Sequence, residues 1–132
     1  MTKLGFHAAA VLYTGGSAAQ LLKLIYDFPW QEMPFVIDWI IVVLGTIGAS
    51  TLAIQTRRID YRGWWEKPVH FLIIVHLGIS VVLHLWTIHI QSHDLYAAFP
   101  RGYSYFALAY FVGFAWRSWT VRLVNPVAVA EA

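Results

Sequence analysis

Residues 69–90 read VHFLIIVHLGISVVLHLWTIHI and contain no Asp, Glu, Lys or Arg. An α-helix rises about 1.5 Å per residue, so roughly 20 apolar residues cross a hydrocarbon core of about 30 Å. This run is therefore expected to span a bilayer. It also carries four histidines, His70, His76, His84 and His89, and polar groups at membrane depth are costly unless they face protein or a bound group.

Three further apolar runs flank it. Residues 4–22 are uncharged, residues 35–54 carry one charge, Asp38, and residues 103–124 carry Arg117 and Arg122 near their end. An arginine one or two turns from a helix end can snorkel to the headgroups, so the last run is also read as spanning. The expectation is an all-α chain forming one integral membrane domain over residues 1–132, a four-transmembrane-helix bundle running up-down-up-down. Its helices are expected at about 4–25, 35–56, 69–91 and 103–124. Pro34, Pro68 and Pro100 stand where helices begin or have ended. The tail 125–132 is expected to fray.

Composition agrees with a membrane chain: 59% of residues are hydrophobic and only 12% charged, against about a quarter charged in soluble domains. A formal charge of +2, dispersed along the chain, excludes a nucleic-acid footprint, and the absence of cysteine excludes disulfides and thiolate-ligated metals. With the N-terminus inside, Lys3, Arg57, Arg58, Arg62, Lys67, Arg117 and Arg122 lie inside, against Lys23 and Arg101 outside. That bias predicts N-in, C-in topology in a bacterial inner, thylakoid or organellar membrane. The tryptophans follow the same division, with Trp30, Trp39 and Trp86 at the outer face and Trp64, Trp65, Trp116 and Trp119 at the inner. A signal peptide is the competing reading of the first run, with residues 17–19 a poor cleavage site, and the run is expected to be retained.

Glycine and small residues cluster at residues 15–19 and 45–51, where close helix approach is expected. On the third helix, a wheel at about 100° per residue puts His70, His76, Ser80, His84 and Thr87 on one face within about 120°, with His89 elsewhere. Three readings of this stripe compete: hydrogen bonding between helices, axial ligation of a haem b iron or chlorophyll magnesium, and a proton or quinone path. His70 and His84, fourteen residues apart, have a spacing that resembles the two-haem helices of b-type membrane cytochromes. That resemblance implies bis-histidine ligation, for which His7 on the first helix is the one available helical partner, opposite His70. The second and fourth helices lack histidine, so a second haem at His84 has no internal partner. Chlorophyll needs one axial ligand, for which His76 or His84 would serve.

Asp38 is placed about one turn inside the outer end of the second helix, at the depth of His84, where a histidine–carboxylate pair would pass protons to a quinone. The loop at residues 91–102, with His93, Asp94, Tyr96 and Phe99, is long enough to cap the outer face. Residues 57–67, with Arg57, Arg58, Trp64 and Trp65, are expected to anchor at anionic headgroups or dock a partner subunit. No phosphate loop, nucleophile triad or HExxH pattern is present. The expected role is a non-catalytic subunit of a larger respiratory or photosynthetic complex, in contact with lipid and other membrane subunits. The alternatives are a small self-contained transporter or channel, or a cofactor-free assembly or scaffold protein.

Overall fold

The computed structural model describes residues 3–124; the tail expected to fray lies outside them. Four long helices account for most of the chain: α1 (Leu4–Tyr26), α2 (Phe35–Ile54), α3 (Glu66–Ile90) and, after the one-turn α4 (Asp94–Ala97), α5 (Arg101–Thr120). Three stretches, Leu4–Tyr26, Phe35–Arg58 and Glu66–Ile90, are long and apolar enough to cross a membrane. α5 is as long as α2 but carries Arg101, Arg117 and many polar aromatics, and is not among the three.

Local chemistry sets the helix ends. α1 stops where Asp27 turns left-handed (φ 52°) and returns its N–H to the Lys23 carbonyl; α3 stops in the same way at Gln91 (φ 53°), whose Nε2 also donates to the Ile88 carbonyl at 2.6 Å. The exposed Asp27 carboxyl is held below its usual range chiefly by a 3.0 Å hydrogen bond from Lys23 Nζ. α3 starts three residues earlier than expected because Pro68 occupies its first turn, where no intrahelical N–H is required. α5 ends four residues early. The chain beyond it extends and pairs with residues 58–60, with Asp60 N–H donating to Arg122 O at 3.0 Å and Val124 N–H to Arg58 O at 2.8 Å.

The long helices lie side by side, α5 against α1, α1 against α2 and α2 against α3. α3 and α5 meet through rings, with Trp65 stacked on Trp116 and His76 set against Tyr110, Phe111 and Phe114. The start of α1, residues 121–124 and the connection at residues 55–65 gather at one end of the described molecule; residues 27–34 and 91–100 form the other. Gly5 and Gly48 explain the tight α1–α2 crossing at the first end. A Cβ at Gly5 would overlap the Thr51 hydroxyl, and one at Gly48 would lie 2.9 Å from Leu77 Cδ1 and 3.8 Å from Ala9 N. Around this crossing Phe6, Leu52, Ile73 and Leu77 are completely or almost completely buried and form an apolar layer.

Arg117 corrects one expectation. It does not snorkel: its side chain turns inward, 3% exposed, with Nη2 3.5 Å from Glu66 Oε2. Glu66 opens α3 one helix away, so an ion pair between elements takes the place of headgroup contact. Much of the remaining surface is apolar and exposed, including Trp39, Phe71, Val82, Trp86 and Phe106.

Candidate functional site: a buried carboxylate–imidazole cluster beside an apolar cavity

Pro34 starts α2, which leaves Asp38 in its first turn, where the helix dipole favours a negative charge. The Asp38 side chain is fully buried, and three donors from two other elements converge on it. Its Oδ1 lies 2.7 Å from His84 Nδ1 on α3 and 3.3 Å from the Tyr96 hydroxyl; its Oδ2 lies 2.6 Å from His93 Nε2. The Tyr96 hydroxyl is also 2.8 Å from His84 Nδ1. Thr87, one turn beyond His84, is buried beneath the phenol.

The turn α4 delivers His93 and Tyr96. His93 precedes it and Tyr96 is its third residue, so a spacing of i, i+3 brings both rings to the same side. The His93 ring is stacked between Phe35 (centroids 4.5 Å apart) and Tyr96 (5.6 Å) and is itself buried. Burial pushes the Tyr96 phenol well above its ordinary value, with the Asp38 carboxylate adding to the rise against the Thr87 hydroxyl. Tyr96 is therefore a proton donor at any physiological pH.

Charge accounting defines what the cluster can do. An unprotonated carboxylate with two neutral imidazoles would bury a net negative charge, which is expensive in a medium with little water. One added proton makes the group neutral, and that proton can sit on either imidazole or on the carboxyl along bonds of 2.6–2.7 Å. The arrangement is a hydrogen-bond geometry. Ligands on one metal ion at about 2.0–2.1 Å would stand roughly 3.3 Å apart, and among the described residues no group of His, Asp and Glu side chains is disposed to hold a metal.

His84 and Tyr96 also line a cavity of about 640 Å³ enclosed by α1, α2, α3 and the start of α5. Its walls are mainly aliphatic and aromatic, with Tyr13, Gln20, Lys23, His76, Ser80, Tyr103 and Ser104 as further polar points. His84 directs Nδ1 at Asp38 and Tyr96, and its Nε2 has no hydrogen-bond partner among the described residues. Deeper in, His76 Nδ1 meets the Tyr13 hydroxyl at 2.9 Å, and Tyr110, Phe111 and Phe114 surround its ring at 5.3–6.1 Å.

The other sequence candidates fall elsewhere. His70 is 2% exposed, with Phe6 and Tyr61 against its ring (5.7 and 5.9 Å). His7 is exposed beside Trp119, so the residue that α1 turns toward His70 is Phe6; His7 and His70 do not share a site. Arg57 and Trp64 project outward, Arg58 is tied through its backbone to Val124, and Trp65 packs on Trp116. His89 is exposed beside Trp86. The sequence singles out Asp38 and His84 but not His93 and Tyr96, which fall in the stretch expected to cap the outer face. Their one-turn spacing directly after a histidine-bearing helix was the available signal.

No protein-family model, curated protein or solved structure matches the chain.

Proposed function

We propose that the chain is an integral membrane subunit that holds the head of a quinone in the cavity and exchanges protons with it through the Asp38 cluster. In this reading it crosses the membrane four times, α5 included, with both termini on the positively charged, cytoplasmic-type face. It works within a larger energy-converting complex, whose other subunits supply and remove electrons. The observation that carries the reading is the coincidence of a neutralisable His–Asp–His–Tyr cluster with the polar end of a 640 Å³, mainly apolar cavity. Such pockets suit flat apolar ligands fixed by few polar contacts. With the cluster's added proton on His84, whose Nδ1–H is already donated to Asp38, its Nε2–H donates to a quinone carbonyl oxygen; without that proton Nε2 accepts from a quinol hydroxyl, and the Tyr96 hydroxyl is the neighbouring donor.

At His76 and His70 the geometry disfavours a tetrapyrrole; at His84, whose Nε2 faces the cavity, the spectroscopic test below separates a quinone from a pigment. An axial ligand needs one nitrogen with open space for a macrocycle face, whereas the His76 ring is hemmed in by four aromatic rings. His70 is packed between Phe6 and Tyr61.

The test is binding of a benzoquinone to the purified chain in lipid nanodiscs, followed by quenching of Trp30, which lines the cavity. Wild type is expected to bind, and His84→Leu to weaken binding at least tenfold. A second set of measurements, the absorption spectrum and extracted pigment, covers the haem and chlorophyll readings. Tight binding that survives both His84→Leu and Tyr96→Phe would sink the assignment of the cluster as the head-group site.

A further inference from the structure

We infer that the cavity opens sideways into the lipid between α1 and α2, and that its ligand is a quinone with a long polyprenyl tail that leaves through this mouth. The inference rests on the quinone reading above and adds the ligand's class and its route.

The mouth follows from how α1 and α2 cross. At Gly5, Ala9 and Gly48 the two backbones touch, with Gly48 Cβ space ending 3.6 Å from Gly5 O. Six residues beyond Ala9, about 9 Å along the helix, Gly15 has nothing within 4 Å of the position a Cβ would take. Along this stretch Leu12 and Ala19 on α1 and Ile37 and Ile41 on α2 line the cavity, which takes the place of the contact made at Gly5 and Gly48. Small residues on α1 widen the gap, since Gly15, Gly16 and Ala19 all line the cavity.

The lips identify the medium outside. Val11 and Leu22 on α1 and Ile37 and Ile40 on α2 line the cavity, yet are 51%, 45%, 37% and 46% exposed. Residues that both line a cavity and face outward mark its opening; these four are aliphatic, and the others, Gly15 with Phe28, Pro34 and Phe99 toward the α4 end, are apolar too. The four lie within two stretches apolar enough to cross a membrane, so what stands outside them is hydrocarbon. The polar lining residues Gln20 and Lys23 are not among those that face outward, and Lys23 Nζ is already paired with Asp27. A molecule with a hydrogen-bonding head and an apolar tail fits both ends: the head reaches His84 and Tyr96, and the tail runs out over Gly15 between Val11 and Ile40.

The experiment compares ubiquinone-10 with tail-less ubiquinone-0 in nanodiscs, using wild type, Gly15→Phe and Ile40→Trp, which obstruct opposite lips of the mouth. Wild type is expected to prefer the long-tailed quinone at least tenfold. In either folded variant the long-tailed quinone is expected to lose at least tenfold in affinity while ubiquinone-0 changes by less than twofold. Equal binding of the two quinones by wild type would mean that a phospholipid chain or nothing fills the mouth, and would overturn the inference while leaving the head-group site standing. Unchanged ubiquinone-10 binding in both variants, or equal loss of both quinones, overturns it as well. Absence of any quinone binding by wild type strikes at the functional reading itself, so the two failures are distinguishable.

Discussion

Replacing Asp38 tests the cluster most directly. In Asp38→Leu the carboxylate is lost, and His84 Nδ1–H, His93 Nε2–H and the Tyr96 hydroxyl lose their shared acceptor at 2.7, 2.6 and 3.3 Å. The consequences differ by site. The His84 side chain is 14% exposed along the cavity and can find water there, whereas that of His93, 2% exposed under Phe35 and Tyr96, cannot. Breaking a buried charged pair by removing one partner costs about 3–5 kcal/mol. Neutral hydrogen bonds between membrane helices average only about 0.6 kcal/mol, and charge assistance roughly doubles such a bond. The lower figure governs each contact taken singly, and the higher governs loss of the whole acceptor. We expect Asp38→Leu to destabilise the protein by about 3 kcal/mol. Asp38→Asn keeps one acceptor oxygen and should cost about half as much. The assay is reversible unfolding in mixed micelles followed by circular dichroism. A double-mutant cycle of Asp38→Asn with His93→Phe should give a coupling of about 1–2 kcal/mol. A coupling indistinguishable from zero would refute the claim that His93 is bonded to this carboxylate, whatever the single variants do.

Three other outcomes are expected. Gly5→Ala should disrupt the α1–α2 crossing and cost about 1–3 kcal/mol by overpacking against Thr51, whereas Gly15→Ala, which meets nothing within 4 Å, should unfold within about 0.5 kcal/mol of wild type; equal effects would contradict the change from contact at Gly5 to open space at Gly15. Labels at Lys3, at Trp64 and at a C-terminal tag should react from one side of the membrane and a label at Gln31 from the other, and Gln31 reacting with the first group would overturn the four-span reading. A spectroscopic pH titration should show Tyr96 still protonated where exposed tyrosines ionise, near pH 10. Because its folded value is raised, its stabilising contribution is complete below the unfolded value and is lost as pH climbs through the folded one. A Tyr96→Phe difference titration with an ordinary tyrosine midpoint would reject the buried position.

How much of this could be read beforehand depended on whether the signal was local. Four helices, their connections and the inward face of α3 follow from hydropathy and a period of 3.6, because a polar stripe on an apolar helix has only one low-energy direction to face. The pairing of Asp38 with His84 at one depth was legible for the same reason, since a short connection makes α2 and α3 antiparallel neighbours. The end of α5 was not, because residues 121–124 are apolar enough to continue a helix; a backbone pairing with residues 58–60, distant in sequence, draws them out. The inward turn of Arg117 is not legible in the sequence, because its partner Glu66 lies far from it along the chain and a charge at a helix end has two outlets of similar cost, headgroups or a buried partner.

The cluster itself combines a legible half with an illegible one. Asp38 and His84 sit on long helices that pack side by side across a short connection. His93 and Tyr96 sit on a four-residue turn whose position depends on stacking against Phe35, a contact that no periodicity encodes. That difference bears on mechanism. The helices hold the carboxylate and the cavity-lining imidazole, while the other two groups ride on a short element held by rings and hydrogen bonds to Asp38. Below them, the apolar layer of Phe6, Leu52, Ile73 and Leu77 separates the cavity from the polar residues at the opposite end, His70, Glu66 and Arg117. Carrying a proton across that layer would require an unsolvated charge among side chains that offer no hydrogen bond. Movement of the α4 turn needs only the breaking and remaking of bonds that Asp38 already shares. Proton exchange in the proposed function therefore runs between the cavity and the surface beside α4, with the opposite end of the helices as a structural anchor.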